Sequence, residues 1–178
     1  MDPTTRSHLP RLHPEHYRGW QFVHWIMTIS KRKTGWLNAE FHEKFKEILF
    51  SSASSYDVVV PAFCLMPDHL HILAAGIHSA ADQKLWARAI RRKINLILKP
   101  HQLQRQAYDH VLRPAETDRD AFDTLVHYIC ENPVRSGLTS STRDWPFSAA
   151  LVPDLPDLTL HGTGFHAYWW DYWNGKHG

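Results

Sequence analysis

Apolar and polar positions alternate over residues 17–29, with Trp20, Phe22, His24, Ile26 and Thr28 on one side and Gln21, Val23, Trp25 and Met27 on the other. That two-residue period, rich in aromatic and β-branched side chains, predicts a strand. After a basic turn over 30–35 the period lengthens. Phe41, Phe45, Ile48 and Leu49 recur at helical spacing, Glu40 and Glu43 sit near the start, and Asn38 is placed to cap a helix running to about residue 54. Residues 56–65 (YDVVVPAFCL) read as a second strand, in which Pro61 marks an edge or a bulge. Residues 66–68 form a tight turn, and 69–77 (HLHILAAGI) return as a third strand. A long helix is predicted over 80–98, with Leu85, Ala89 and Ile97 among its apolar positions, and a short strand over 106–112. An acidic start at 116–120 opens a last amphipathic helix to about residue 131, with Phe122, Leu125, Val126 and Ile129 as its stripe, Pro133 closing it and Gly137 turning the chain.

The order strand, helix, strand, strand, helix, strand, helix predicts an α+β fold. Its antiparallel sheet has about four to five strands with helices packed on one face, close to the ferredoxin-like arrangement. The chain divides into an irregular Pro-, Arg- and His-rich arm over 1–16, the folded domain over 17–148, and an aromatic-rich tail over 149–178. In that tail Trp169, Trp170 and Trp173 suit either stacking on unpaired bases or a hydrophobic clasp over the sheet or a partner.

Composition narrows the class. A chain of 178 residues with 43% hydrophobic content makes one ordinary globular domain. No apolar run reaches membrane-spanning length and the first residues are polar, so the expected location is cytoplasmic, in association with the nucleoid. Cys64 and Cys130 are too few for a disulfide framework and lie in apolar segments, which predicts buried free thiols. The net charge is only +2, but Lys84, Arg88, Arg91, Arg92, Lys93, Lys99, Arg105 and Arg113 crowd one stretch, and Lys31, Arg32 and Lys33 another. Such local basic surface suits a phosphate backbone, and Arg91, Arg92, Lys93, Lys31, Arg32 and Lys33 are candidate DNA contacts.

The chemistry concentrates in two places. His69 and His71 are one residue apart in a predicted strand, so both imidazoles leave the same face and can share a metal ion, while Leu70 and Ile72 face the core. Tyr128 and Asn132 are one helical turn apart, and Tyr128 lies off its helix's apolar stripe. A phenol is a poor nucleophile near neutrality unless helped, and a divalent ion polarises a phosphate under attack. Asn132 could complete the ion's coordination while fixing the tyrosine hydroxyl beside it. A tyrosine taking the 5′ phosphate and releasing a 3′ hydroxyl keeps the bond energy for rejoining.

The runs Met66-Pro67-Asp68-His69-Leu70-His71-Ile72-Leu73 and Tyr128-Ile129-Cys130-Glu131-Asn132-Pro133-Val134-Arg135-Ser136-Gly137-Leu138 resemble the two signatures of the single-tyrosine HUH transposases, in particular the REP-associated branch. Trp145-Pro146-Phe147-Ser148 and Tyr108-Asp109-His110-Val111-Leu112-Arg113 resemble further segments of that branch. The resemblance implies a transposase-type strand transferase acting on single-stranded, hairpin-bearing, repetitive palindromic DNA. It implies Tyr128 as the nucleophile that becomes a 5′-phosphotyrosine, and His69, His71 and Asn132 as ligands of Mg²⁺ or Mn²⁺. An imidazole-rich site would also take Zn²⁺ or Ni²⁺ on isolation. It favours a monomer over a homodimer. The alternative is a sequence-specific DNA-binding protein on the same scaffold that cuts little or not at all. A histidine-triad hydrolase is disfavoured by Leu73, which stands where the third histidine would be.

Overall fold

The computed structural model describes residues 12–112 and 119–177. Residues 1–11 of the expected arm, and 113–118 with Arg113 and most of the acidic helix start, lie outside the described residues. The elements are β1 (Phe22–Thr28), α1 (Ala39–Tyr56), β2 (Val58–Met66), β3 (His69–Gly76), α2 (Gln83–Ile97), β4 (Tyr108–Val111), α3 (Arg119–Arg135), β5 (Ser148–Leu151) and α4 (Phe165–His177). The caps follow the chemistry of their residues. Asn38 accepts the backbone N–H of Phe41 at 2.8 Å to open α1, and Asp82 accepts that of Leu85 at 3.0 Å to open α2.

The five strands form one antiparallel sheet in the order β4-β1-β3-β2-β5. The first four places are the ferredoxin-like order expected, and β5 adds an edge beside β2. The expected bulge near Pro61 is present: the β2–β3 register shifts between Val59 and Ala62. Trp145 and Phe147 explain how β5 attaches, because the Trp145 indole donates to the Leu65 carbonyl and the Phe147 carbonyl accepts from Leu65 N–H.

Strand alternation sends Val23, Trp25, Leu70, Ile72, Phe63 and Leu65 to one face, where α1 and α2 cover them. On α2 the buried stripe is Trp86, Ile90 and Ile94, while Leu85 is exposed. Asp82 sets the start of the helix, and the rotation that follows puts Trp86 rather than Leu85 toward the sheet. The opposite face carries Phe22, Cys64, Leu73 and Ala75 and is covered by α3 and α4, a second helical layer beyond the single one expected. Trp169, Trp170 and Trp173 are buried there. Phe122 of α3 stacks on Trp169 with ring centroids 5.4 Å apart, and Phe22 of β1 meets Trp173 at 4.4 Å. The tail's tryptophans therefore clasp the sheet and α3, and are closed to bases. Both cysteines are buried free thiols, as expected, and burial pushes Cys64 up to about 11 and Cys130 up to about 12. Among the described residues, no helix is long and apolar enough to cross a membrane.

Candidate active site

β3 supplies both imidazoles. The β2–β3 connection is only Pro67-Asp68, so His69 opens the strand opposite Met66, and His71 follows on the same face opposite Cys64. β1 lies on the other side, with Ile26 opposite His71 and Thr28 opposite His69. The ring nitrogens form a chain. The Asp68 carboxylate meets His69 Nδ1 at 2.6 Å, His69 Nε2 faces His71 Nε2 at 3.0 Å, and His71 Nδ1 meets His24 Nε2 at 3.0 Å.

This chain dictates tautomers. A carboxylate can only accept, so His69 carries its proton on Nδ1 and leaves Nε2 with a lone pair. If His71 likewise donates Nδ1–H to His24, its Nε2 is also bare, and two lone pairs point at each other. A cation between them resolves the repulsion, and nitrogens bound to one ion at about 2.0–2.1 Å lie roughly 3 Å apart. The donor set fits a divalent metal.

The electrostatics agree. Burial lowers His71 to about 3, reinforced by His24, His69 and Arg135, and burial, then His110, lowers His24 to about 4. Both rings stay neutral near pH 7, as ligation requires. Burial alone would raise the Asp68 carboxyl, but hydrogen bonds from His69 and Arg32 outweigh it and hold it below its ordinary value.

Tyr128 reaches this face from α3. Its ring lies 6.2 Å from His71 and 6.2 Å from His24, edge-on to both, and the side chain is 41% exposed. The nucleophile candidate and the paired histidines therefore lie on one face of the sheet within a single chain. Asn132, one turn on, is buried, and its orientation follows from the residue after it. Pro133 has no N–H to give to the carbonyl of Ile129, and the Asn132 amide nitrogen donates there instead at 3.2 Å, and to the Tyr128 carbonyl at 3.0 Å. With the nitrogen held against the helix, Oδ1 is turned outward and accepts from Arg135 at 3.0 Å, keeping a second lone pair for a metal. Contrary to the expectation from sequence, Pro133 does not stop α3. The helix runs to Arg135 because the asparagine supplies the missing bond. It ends where Gly137 adopts φ 68°, with Leu138 N–H bonded to the Pro133 carbonyl and Gly137 N–H to that of Val134.

The structure separates the candidate DNA contacts. Lys31, Arg32 and Lys33 follow β1 at the histidine end, in a strained turn where Lys31 and Arg32 have φ of 58° and 50°. Arg32 pairs with Asp68 at 2.7 Å and so supports the His69 orientation. Arg91, Arg92 and Lys93 belong to α2 and are not brought to the site: α2 packs on the sheet face away from the histidines. Arg91 also donates to the carbonyls of Gln104 and Arg105, tying down the loop before β4.

Three residues of the site are not apparent from sequence. His24, which the alternation only placed on one side of β1, joins His71 because the β1–β3 register sets their rings side by side. The strand parity that grouped it with Phe22 and Ile26 was the available signal. Asp68 stood within the histidine motif without a role. Arg135, seven residues after Tyr128 and so on the same side of α3, places its guanidinium 4.2 Å over the Tyr128 ring. Among the described residues no group of three His, Cys, Asp or Glu could hold a metal, so a bound ion would rely on two imidazoles, the asparagine oxygen, and substrate or water.

A ferredoxin-like sheet with paired histidines on its central strand and a helix-borne tyrosine over them is the architecture of the single-tyrosine HUH transposases. The family model described as "Transposase IS200 like" matches residues 20–132, and the chain belongs to that family. A protein of Haemophilus influenzae named as a REP-associated tyrosine transposase is 27% identical over 155 residues, covering 72% of this chain and 83% of that protein. The fold is shared with a solved structure of the REP-associated tyrosine transposase bound to a REP hairpin. That likeness has a TM-score of 0.65 and 21% identity, and covers 80% of this chain and 81% of the other.

Proposed function

We propose that this protein cleaves and rejoins single-stranded, hairpin-bearing DNA by transesterification, with Tyr128 as nucleophile. The observation that carries the reading is the meeting, within one chain, of the Tyr128 ring and the His71 imidazole of the pair across 6.2 Å. Tyr128 Oη attacks a backbone phosphorus, the bond to the 3′ oxygen breaks, and a 5′-phosphotyrosine is left beside a free 3′ hydroxyl. The reverse step rejoins the strand. His69 Nε2, His71 Nε2 and Asn132 Oδ1 would hold a divalent ion, Mg²⁺ or Mn²⁺ by preference for oxygen-bearing substrate, with Zn²⁺ or Ni²⁺ acceptable to the imidazoles. When bound, the ion polarises the phosphate and offsets its charge. Asp68 and His24 keep the two ligating nitrogens aimed at one point, with Arg32 steadying Asp68.

Lys31 and Lys33, beside the histidine end of the sheet, are proposed to guide the phosphate backbone toward Tyr128 and the histidines. Arg91, Arg92 and Lys93 would serve only a part of the DNA that passes the opposite face. One chain supplies every group named, so a monomer suffices. The REP hairpin bound by the structural relative supports hairpin DNA as the partner, and with it a place in the cytoplasm beside the nucleoid.

The test is a labelled single-stranded hairpin oligonucleotide incubated with Mn²⁺ or Mg²⁺. A covalent adduct resistant to SDS is expected, and Tyr128→Phe should abolish it while leaving DNA binding intact. Binding without any adduct, across a panel of hairpin substrates and both metals, would favour the non-cleaving DNA-binding protein instead.

A further inference from the structure

A phosphodiester gains negative charge on its non-bridging oxygens as it is attacked, and a single ion does not surround them. Arg135 occupies the position from which a second cation could reach them. Its guanidinium lies 4.2 Å over the Tyr128 ring and donates to Asn132 Oδ1 at 3.0 Å. The Tyr128 ring beneath that guanidinium lies 6.2 Å from His71, so Arg135 stands on the histidine side of α3 rather than on its outer surface. Arg135 is exposed, and among the described residues no carboxylate pairs with it. Only part of its planar fork is spent on Asn132, which leaves further N–H donors open above the nucleophile. Its backbone is fixed immediately afterwards, where Gly137 turns the chain with φ 68° and Leu138 and Gly137 N–H groups close the helix end.

We propose that Arg135 is a further catalytic residue, which binds the non-bridging oxygens of the scissile phosphate and stabilises the charge that develops as Tyr128 attacks. The proposal rests on Tyr128 being the nucleophile. In the step, the Tyr128 Oη–phosphorus bond forms as the phosphorus–O3′ bond breaks. The phenolic proton passes to solvent and the departing 3′ oxygen takes one up, so no further reactant is consumed. Arg135 contributes hydrogen bonds and charge, and undergoes no covalent change. Its contact with Asn132 links this cation to the residue that would face the metal, so phosphate and ion are held from adjoining turns of one helix.

The competing role is purely structural: a cation capping the C-terminal turn of α3 and packing on an aromatic ring. Arg135→Gln and Arg135→Lys separate the two. Single-turnover adduct formation is followed at saturating DNA and Mn²⁺, and the dissociation constant for the same labelled hairpin oligonucleotide is measured without metal. The expected result for Arg135→Gln is a loss of about a hundredfold in adduct rate, the scale of removing one preorganised donor, with DNA binding changed by no more than about threefold. Rejoining should slow by the same factor. Arg135→Lys should recover part of the rate and not all, because a point charge cannot reproduce the fork.

A wild-type rate in Arg135→Gln would overturn the proposal. So would full rescue by lysine, which is what helix capping requires. A Gln variant that binds far more weakly but reacts normally at saturation would make Arg135 an affinity contact and also refute it. Melting temperatures of both variants within a few degrees of wild type are expected; a rate loss that tracks lost folded protein would return Arg135 to the structural role. An adduct that persists in Tyr128→Phe would remove the underlying reading and this proposal with it, whereas an adduct lost there but unchanged in Arg135→Gln would remove the proposal alone.

Discussion

Replacing Trp169 by alanine separates the two uses open to the aromatic tail. Trp169 is 0% exposed, and its ring stacks on Phe122 of α3 at 5.4 Å, with Trp173 at 5.7 Å, Tyr172 at 5.8 Å and Phe22 of β1 at 6.2 Å. A buried indole removes roughly 200 Å² from water, which at ~25 cal/mol per Å² is about 5 kcal/mol as an upper bound. Among the described residues the indole N–H has no hydrogen-bond partner, and its unmet desolvation returns roughly 1–3 kcal/mol when the ring is deleted. The expected loss is therefore about 3 kcal/mol, at the low end of measured Trp→Ala substitutions in cores. For a chain of this size that lowers the melting temperature by roughly 6–12 °C. Urea unfolding and thermal melts give the stability, and fluorescence anisotropy with a labelled hairpin gives DNA affinity at a temperature where the variant is folded. Affinity should stay within about twofold. A variant of nearly native stability whose DNA affinity falls by about tenfold or more, the scale of a lost base-stacking platform, would refute the clasp and the burial behind it.

Acid should destabilise the metal-free protein through His24 and His71. Both have folded pKa values below the ordinary 6.5, so the unfolded chain binds more protons, full stability holds above about pH 6.5, and it is lost progressively as pH falls toward about 4 for His24 and about 3 for His71. His24 alone is worth about 3 kcal/mol over that window, and a urea midpoint that does not fall between pH 7 and pH 4.5 in EDTA would contradict its burial as a neutral ring. His24→Leu fills the same space but leaves His71 Nδ1 without its partner; Mn²⁺ affinity by calorimetry should drop by roughly 10–100-fold, and unchanged affinity would deny His24 a part in aiming His71. Pro133→Ala restores a backbone N–H that competes with the Asn132 amide for the Ile129 carbonyl. Stability should hold or rise while Mn²⁺ binding weakens by about threefold or more, and a variant that binds metal as tightly as wild type would show that Asn132 does not need this anchor. Cys64 and Cys130 should resist a thiol reagent at pH 8 in the native state and react on denaturation, and prompt native reaction would contradict their burial.

The local elements were legible because each is written in short-range chemistry. Strand alternation before Ile29 and across His69–Gly76 follows from which face meets a core, and Asn38 caps α1 whatever lies beyond it. The same alternation put both imidazoles on one side of β3, and the helical period lifted Tyr128 off its stripe. The α+β order and its antiparallel sheet followed from these pieces. Long-range placement is a different matter. That α3 and α4 form a second layer depends on tryptophans far along the chain finding Phe22 and Phe122, and the tail shows no stripe that announces a helix. Leu85 read as an apolar position of α2, and only the packed sheet shows that its neighbour Trp86 is the one buried. The basic run of Arg91, Arg92 and Lys93 could not declare its face for the same reason.

For the site, the sequence by itself determined the main reactive groups and their spacing: two imidazoles in alternate strand positions, and a tyrosine and an asparagine one turn apart on a helix. It also held the reason Asn132 precedes Pro133, since both ends of that hydrogen bond lie within one turn. Only the tertiary structure decided that these two sets confront each other over one face of the sheet, that β1 brings His24 to His71, and that α2 turns its charges away. Backbone geometry fixes what neighbours in sequence can do. Which surfaces meet is set by how the whole chain buries its apolar area, and no short stretch of it carries that information.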